Sequence, residues 1–139
     1  MVAKQISVFI ENRKGRLGAV LDVLKENGVN ILSLSLADTA EYGILRVISD
    51  KAETGKKALS SAGFSSMLTD VFIIQVPHTP GALQQILRII SDEELNVEYM
   101  YGLSVAGNDA SIVIKTSDLE KADEVFAKRS IETISFCEI

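Results

Sequence analysis

At 139 residues the chain has room for one domain or two small ones, and 47% hydrophobic against 24% charged residues is the balance of a globular protein. A net charge of −5 weighs against nucleic acid as a partner, because binding to the phosphate backbone needs a cationic face. No apolar run reaches the ~18 residues of a membrane span, Met1 to Ile10 lacks a signal-peptide pattern, and the single cysteine, Cys137, can form no internal disulfide, so a reducing, cytoplasmic setting is expected.

Ile6 to Ile10 alternates as a half-buried strand, and Asn12 to Gly15 turns the chain. From Arg16 to Asn27, Leu17, Val20, Leu21 and Leu24 form one stripe of a helix. Asn27-Gly28 stops it, with Gly28 suited to the left-handed position past a helix end. Asn30 to Ala37 and Gly43 to Ser49 are expected strands on either side of a turn at Asp38 to Tyr42. Asp50 and Glu53 have the spacing of a capping box, ahead of a second helix running to about Ala62. Gly63 ends that helix, and a short strand follows from Phe64 to Thr69.

Beyond Asp70, Val71 to Val76 is the next strand, Pro80 opens a helix at its first position, and Asn96 begins another strand. A hairpin turn is expected at Ala106-Gly107-Asn108-Asp109, then a strand from Ala110 to Thr116. Ser117 and Glu120 form a second capping box, for a helix whose stripe is Leu119, Ala122, Val125 and Phe126. The last expected strand is Ile131 to Cys137.

The order of elements occurs twice because the sequence does. A shift of 66 places Ile6, Val8 and Ile10 on Phe72, Ile74 and Val76, Gly15 on Gly81, Leu17 on Leu83, and Asn30-Ile31 on Asn96-Val97. Later positions match at a shift of 67, so the second copy carries one inserted residue. Apolar matches follow from core patterning alone, but a repeated Gly and a repeated Asn mark backbone or polar tasks. The expected fold is α+β: two ferredoxin-like βαββαβ units, 1–69 and 70–139, each a four-stranded antiparallel sheet with two helices on one face.

With Asp70 as the whole linker, the units are expected to pack rigidly as a pseudo-dimer. Pairing the edge strands that follow Asn30 and Asn96 would join the antiparallel sheets edge to edge and protect both edges; otherwise those edges face water. Leu32, Leu34 and Leu36 share a face, whereas the aligned face of the second copy holds Glu98, Met100 and Gly102. A bulge after Ile31 or Val97 would reconcile the two.

The residues best suited to chemistry lie between the first strand and first helix of each unit, at Glu11 to Leu17 and Pro77 to Leu83. Each glycine stands where a helix begins, so free N–H groups backed by the helix dipole can receive a carboxylate. Asn12 can both donate and accept, as an ammonium-plus-carboxylate ligand requires. Arg13, Lys14 and Arg16 crowd a helix start and call for an acidic neighbour or a bound anion. Asn30 and Asn96 fall 15 residues after each glycine, a repetition that favours a task beyond the turn itself. His78, the only histidine, lacks partners for a metal site and suits an exposed loop or a ligand contact. No cofactor is implied. Tyr99 and Tyr101 share a strand face, but the acidic balance favours packing over base stacking.

Asn12-Arg13-Lys14-Gly15-Arg16-Leu17 followed by Gly28-Val29-Asn30-Ile31, and Thr79-Pro80-Gly81-Ala82-Leu83 followed by Leu95-Asn96-Val97, resemble the signature of the ACT domain over almost the whole chain, twice. The first copy departs at Lys14, where the family often has proline, and the second at Glu93-Glu94, where a glycine often ends the helix. The resemblance implies small βαββαβ regulatory modules that pair side by side and hold a free amino acid between the glycine loop of one copy and the Asn strand of another. On that basis one site joins Asn12, Gly15, Arg16 and Leu17 to Asn96 and Val97. The other joins His78, Gly81, Ala82 and Leu83 to Asn30 and Ile31, and the two should bind unequally.

The resemblance implies a non-catalytic sensor acting on a regulated enzyme or through its own homo-oligomer. One alternative is a structural dimerisation or interaction module without ligand. The other is an acylphosphatase-like hydrolase, in which Arg13 or Arg16 would work with Asn30, although the second copy has no loop arginine and the glycine-rich loop of such enzymes is missing.

Overall fold

The computed structural model describes residues 1–38, 41–106 and 109–134. Among the described residues two compact units emerge: Lys4–Thr69, and residues 70–134 together with Met1–Ala3.

The first unit contains β1 (Ala3–Glu11), α1 (Arg16–Glu26), β2 (Ile31–Asp38), β3 (Tyr42–Ser49), α2 (Ala52–Ser61) and the start of β4 (Ser65–Pro77). The second contains the rest of β4, α3 (Ala82–Asp92), β5 (Val97–Ala106), β6 (Asp109–Thr116), α4 (Leu119–Lys128) and β7 (Thr133–Ile134). Strand order is β2-β3-β1-β4 in one and β5-β6-β4-β7 in the other, antiparallel wherever register is defined. Each unit is thus the βαββαβ fold that the alternating strands and helical stripes predict.

In the first unit, α1 and α2 bury Val20, Leu24 and Leu59 against Ile6, Val8, Ile10, Leu45 and Val47 of the sheet. The matching core of the second is Phe72, Ile74, Val76, Ile90, Ile114, Ala122 and Phe126. There the rings of Phe72 and Phe126 meet edge to face at 4.9 Å, a favoured aromatic geometry.

Several local expectations are corrected. No break occurs at Asp70, and β4 runs through it as one strand of 13 residues. Pro80 lies in the turn ahead of α3, whose N-cap is Gly81. Neither capping box forms. The cap of α2 is Lys51, without a side-chain bond, and α4 is capped by Asp118, whose carboxylate accepts the Lys121 N–H at 3.1 Å. Asp50 and Ser117 are occupied elsewhere, as described below. Within their own units, β2 pairs with β3 and β5 pairs with β6. The tip of the expected hairpin at 107–108 and the end of the last strand, with Cys137, lie outside the described residues.

The bulge is present in both copies. Register shifts between Ile31 and Ser33 and between Val97 and Tyr99, leaving Leu32 and Glu98 as the extra residues. A second shift in β5, between Gly102 and Ser104, leaves Leu103 extra. It has no counterpart in β2, and it is where the one-residue insertion sits: positions before it match the first copy at a shift of 66, positions after it at 67.

Candidate functional site

The two turns ahead of α1 and α3 have the same backbone despite different side chains. Gly15 has φ +87° and ψ −11°, Gly81 has φ +84° and ψ −7°, and both are N-caps in the left-handed region. In the first turn the Arg13 N–H donates to Glu11 O at 2.8 Å, Arg16 N–H to Arg13 O at 3.3 Å and Ala19 N–H to Gly15 O at 3.0 Å. In the second, Thr79 N–H donates to Pro77 O at 2.9 Å, Ala82 N–H to Thr79 O at 3.2 Å and Gln85 N–H to Gly81 O at 3.1 Å. Lys14 therefore leaves the turn in the shape adopted with Pro80. A Cβ built at Gly15 or Gly81 meets nothing within 4 Å, so the glycines serve the positive φ and not tight helix packing. The amides of Leu17 and Gly18, and of Leu83 and Gln84, precede the first intrahelical bond, at the positive end of each helix dipole.

The cations of the first turn are partly occupied. Arg13 Nε lies 3.1 Å from Glu11 Oε2, the acidic neighbour that the crowding of charge called for. The Arg16 guanidinium sits 4.7 Å from the centroid of the Phe64 ring, and its Nε is buried without a hydrogen-bond partner among the described residues. Lys14 is exposed. In the second turn His78 is exposed. Exposure repeats between the copies: Asn12, Gly15, His78 and Gly81 are exposed, whereas Arg16, Leu17, Ala82 and Leu83 are half-buried.

Asn30 and Asn96 are exposed at the entry to β2 and β5, and each is pinned through its main chain. Asn30 N–H donates to Asp50 Oδ1 at 2.8 Å, and Asp50 N–H returns to Asn30 O at 3.2 Å. Asn96 N–H donates to Ser117 Oγ at 3.2 Å, and Ser117 N–H returns to Asn96 O at 3.0 Å. Asp50 and Ser117 thus support the site in a way the sequence reading missed. The signal was available: at a shift of 67 they align as short oxygen-bearing side chains. Beside Asn30 and the half-buried Ile31 lies an open surface depression of about 370 Å³, also lined by Leu21, Leu24, Lys25, Gly28 and Val29. A depression of about 490 Å³ at Phe9, Ala37, Asp38, Tyr42 and Ile44 contains neither a glycine turn nor either asparagine.

Within one unit the glycine turn and the asparagine stand at opposite ends of a helix. Eleven residues of α1 separate Gly15 from Asn30 by ~16 Å. Asn12 N–H donates to Glu41 O at 2.9 Å, fixing the turn at the β2–β3 hairpin end, away from the start of β2. A loop arginine and Asn30 therefore cannot meet in one unit, and the acylphosphatase-like reading fails on geometry.

The sequence profile of a family described as an ACT domain pair matches residues 1–138. The chain belongs to that family. Among solved structures, this ACT domain pair is similar to protein BT0572 from Bacteroides thetaiotaomicron, with 39% identity and TM-score 0.91 over 96% of this chain and 92% of that one. It shares its fold with the regulatory subunit of aspartate kinase from Thermus thermophilus in ligand-free form (16% identity, TM-score 0.67, 91% of this chain and 90% of that one). The corresponding subunit from Thermus flavus gives 16% identity and TM-score 0.63 over 89% and 88%. No curated protein sequence matches. The general role of the ACT pair is regulatory. No group of three or more His, Cys, Asp and Glu among the described residues could hold a metal, and no described helix is long and apolar enough to cross a membrane.

Proposed function

We propose that this ACT pair is a sensor of a free amino acid. The α-carboxylate is received by the amides behind a glycine turn, and the ligand is completed by the Asn-bearing strand of an adjoining unit. The residues of this reading are Asn12, Gly15, Arg16 and Leu17 at one turn, His78, Gly81, Ala82 and Leu83 at the other, and Asn30-Ile31 and Asn96-Val97 on the strands. The observation that carries it is the duplication of the turn, with matching dihedrals and hydrogen bonds built from unlike side chains. Further support comes from the open depression of about 370 Å³ beside Asn30, which an adjoining unit would close over a ligand.

Output runs through a regulated enzyme or through self-association, since a bound ligand shifts an equilibrium only by its differential affinity for two states. The two turns differ in charge, so their affinities differ. A cytoplasmic setting belongs to the same reading and rests on cysteine usage.

A thermal-shift screen against the common amino acids tests the proposal. Ligand at 100 times its Kd adds about 2.7 kcal/mol, a rise of several degrees in a unit of this size. Asn30→Ala or Asn96→Ala should each remove part of the response. A screen without a hit leaves a structural interaction module as the better account.

A further inference from the structure

The sheet of the first unit turns one face to its helices and one face away from them. Ile6, Val8, Ile10, Leu45 and Val47 form core on the helix side, so the residues alternating with them point the other way. On that reverse face Phe9 pairs with Ile44, and Ile44 with Ala37, a row of three apolar residues across β1, β3 and β2. Tyr42 stands in the next row, opposite Glu11. Phe9 is 48% and Tyr42 56% exposed, and together with Asp38 these apolar residues line the open depression of about 490 Å³.

The second unit shows that the fold does not require this row to be apolar. The equivalent row there is Gln75, Ser111 and Ser104, paired across strands in the same way, and Asp109 stands in place of Tyr42. Exposed aromatic surface kept in only one of two duplicates marks a contact and not a packing need. The rim gives that contact a sign. Asp38 and Glu41 are exposed, and neither carboxylate makes an ion pair among the described residues. Glu11 is neutralised by Arg13 at 3.1 Å, and Arg46, next along this face of β3, is engaged in contacts of its own.

We propose that this depression docks the protein on which the ACT pair acts, and that the partner offers one bulky apolar side chain flanked by lysine or arginine. The outer strands of the row lie ~10 Å apart, room for a single protruding side chain. The two unpaired carboxylates favour cations beside that side chain, and the net charge of −5 draws a basic partner toward the chain. The same carboxylates repel the anionic headgroups of a membrane. As an output for the sensor this role rests on the reading above; the surface itself does not.

The depression and the first glycine turn are two ends of one short segment. Phe9 lines the depression, and the chain then passes through Asn12, whose N–H donates to Glu41 O at 2.9 Å beside Tyr42, to Gly15. Glu11, opposite Tyr42, reaches Arg13 of the turn. A ligand that favours one arrangement of the turn therefore acts on the strand ends that shape the depression.

Amide NMR titration of the full chain with the blocked peptide Lys-Lys-Phe-Lys-Lys tests the docking. The amides of Phe9, Ala37 and Ile44 should shift, and those of Gln75, Ser104 and Ser111 should not. Glu-Glu-Phe-Glu-Glu and Lys-Lys-Ser-Lys-Lys should leave the spectrum unchanged. Asp38→Asn should weaken binding about twofold to fivefold, the worth of one exposed ion pair. Ala37→Lys, at an exposed position, should abolish binding with an unchanged circular dichroism spectrum. Phe9→Gln with Ile44→Ser, which copies the second unit, should do the same. No shift from the basic peptide at any concentration, shifts centred elsewhere, or an equal response to the acidic peptide overturns the proposal.

The sensor fails separately. Docking by a chain that shows no thermal response to the common amino acids upholds the surface and sinks the sensor. A thermal response without docking sinks the surface and leaves the sensor standing. Where both occur, the amino acid must change the peptide's affinity, and the peptide must change the amino acid's by the same factor. An unchanged affinity overturns the output role.

Discussion

Asn30 and Asp50 hold each other twice, through the Asn30 N–H to the Asp50 carboxylate at 2.8 Å and the Asp50 N–H to the Asn30 carbonyl at 3.2 Å. The pair fixes the entry of β2 against the exit of β3 and leaves the Asn30 side chain exposed. Asp50→Ala should cost about 1 kcal/mol, the usual net worth of one hydrogen bond, and lower Tm by a few degrees in calorimetry. Asp50→Asn keeps an acceptor and should lie between Ala and wild type.

Gly15 and Gly81 hold φ values of +87° and +84° in open surroundings. Gly15→Ala and Gly81→Ala should each destabilise by about 1–2 kcal/mol from backbone strain alone. Gly18 sits within α1 without a positive φ and with nothing near its missing Cβ, so Gly18→Ala should stabilise by about 0.5–1 kcal/mol. Urea unfolding of the three variants checks the contrast in sign.

Gly55 is constrained by space. A Cβ there would stand 2.7 Å from Ile6 Cδ1 and 3.2 Å from Leu24 Cδ2. Gly55→Ala should destabilise by about 1–3 kcal/mol through overpacking. Ile6→Val removes the closest methyl, so the double variant should be more stable than the sum of the singles predicts.

Glu94 and Ser130 occupy left-handed backbone at φ 59° and 57°, where the first copy has Gly28 and Gly63. Glu94→Gly and Ser130→Gly should each stabilise by about 1 kcal/mol, read as a shift of the denaturant midpoint at constant m.

Glu93 accepts a hydrogen bond from Arg129 Nε at 3.1 Å and lies 3.6 Å from Lys128 Nζ. The Arg129 hydrogen bond, followed by attraction to both cations, holds its carboxyl below the ordinary value of 4.5. A folded-state pKa below the unfolded one gives stability that is present above pH 4.5 and lost as pH falls through the folded value. Glu93→Gln should flatten that acid limb while leaving the slope near neutrality unchanged, as followed by thermal melts from pH 3 to 7.

The fold was legible because its signals are local and doubled: the stripe Leu17, Val20, Leu21, Leu24, the stop at Gly28 and the strand Ile6 to Ile10 each imply one element. The bulge was legible only as a suspicion, raised by the unlike faces Leu32, Leu34, Leu36 and Glu98, Met100, Gly102. Its place was not legible; it falls at the same point in both strands, so the two faces differ in residue type and not in register. The capping boxes misled because a side-chain oxygen ahead of a helix has two available donors. Asp50 and Ser117 chose the Asn amide across the chain, and sequence spacing cannot see that competitor. The role of Arg16 was hidden for a similar reason: Phe64 is 48 residues away, and only the fold brings its ring beneath the guanidinium. Asp70 looked like a linker because short polar residues favour turns, yet the β4 backbone carries it as ordinary strand.

The Leu103 bulge has a consequence for how the two copies could diverge. By absorbing one residue at an outer strand, it confines a change of reading offset to a single position. Every core residue upstream and downstream keeps the side of the sheet it had before. An insertion in β4 or β6 would have turned half a hydrophobic face outward; here the duplicate tolerated it, and the two halves could drift in length without losing their common plan.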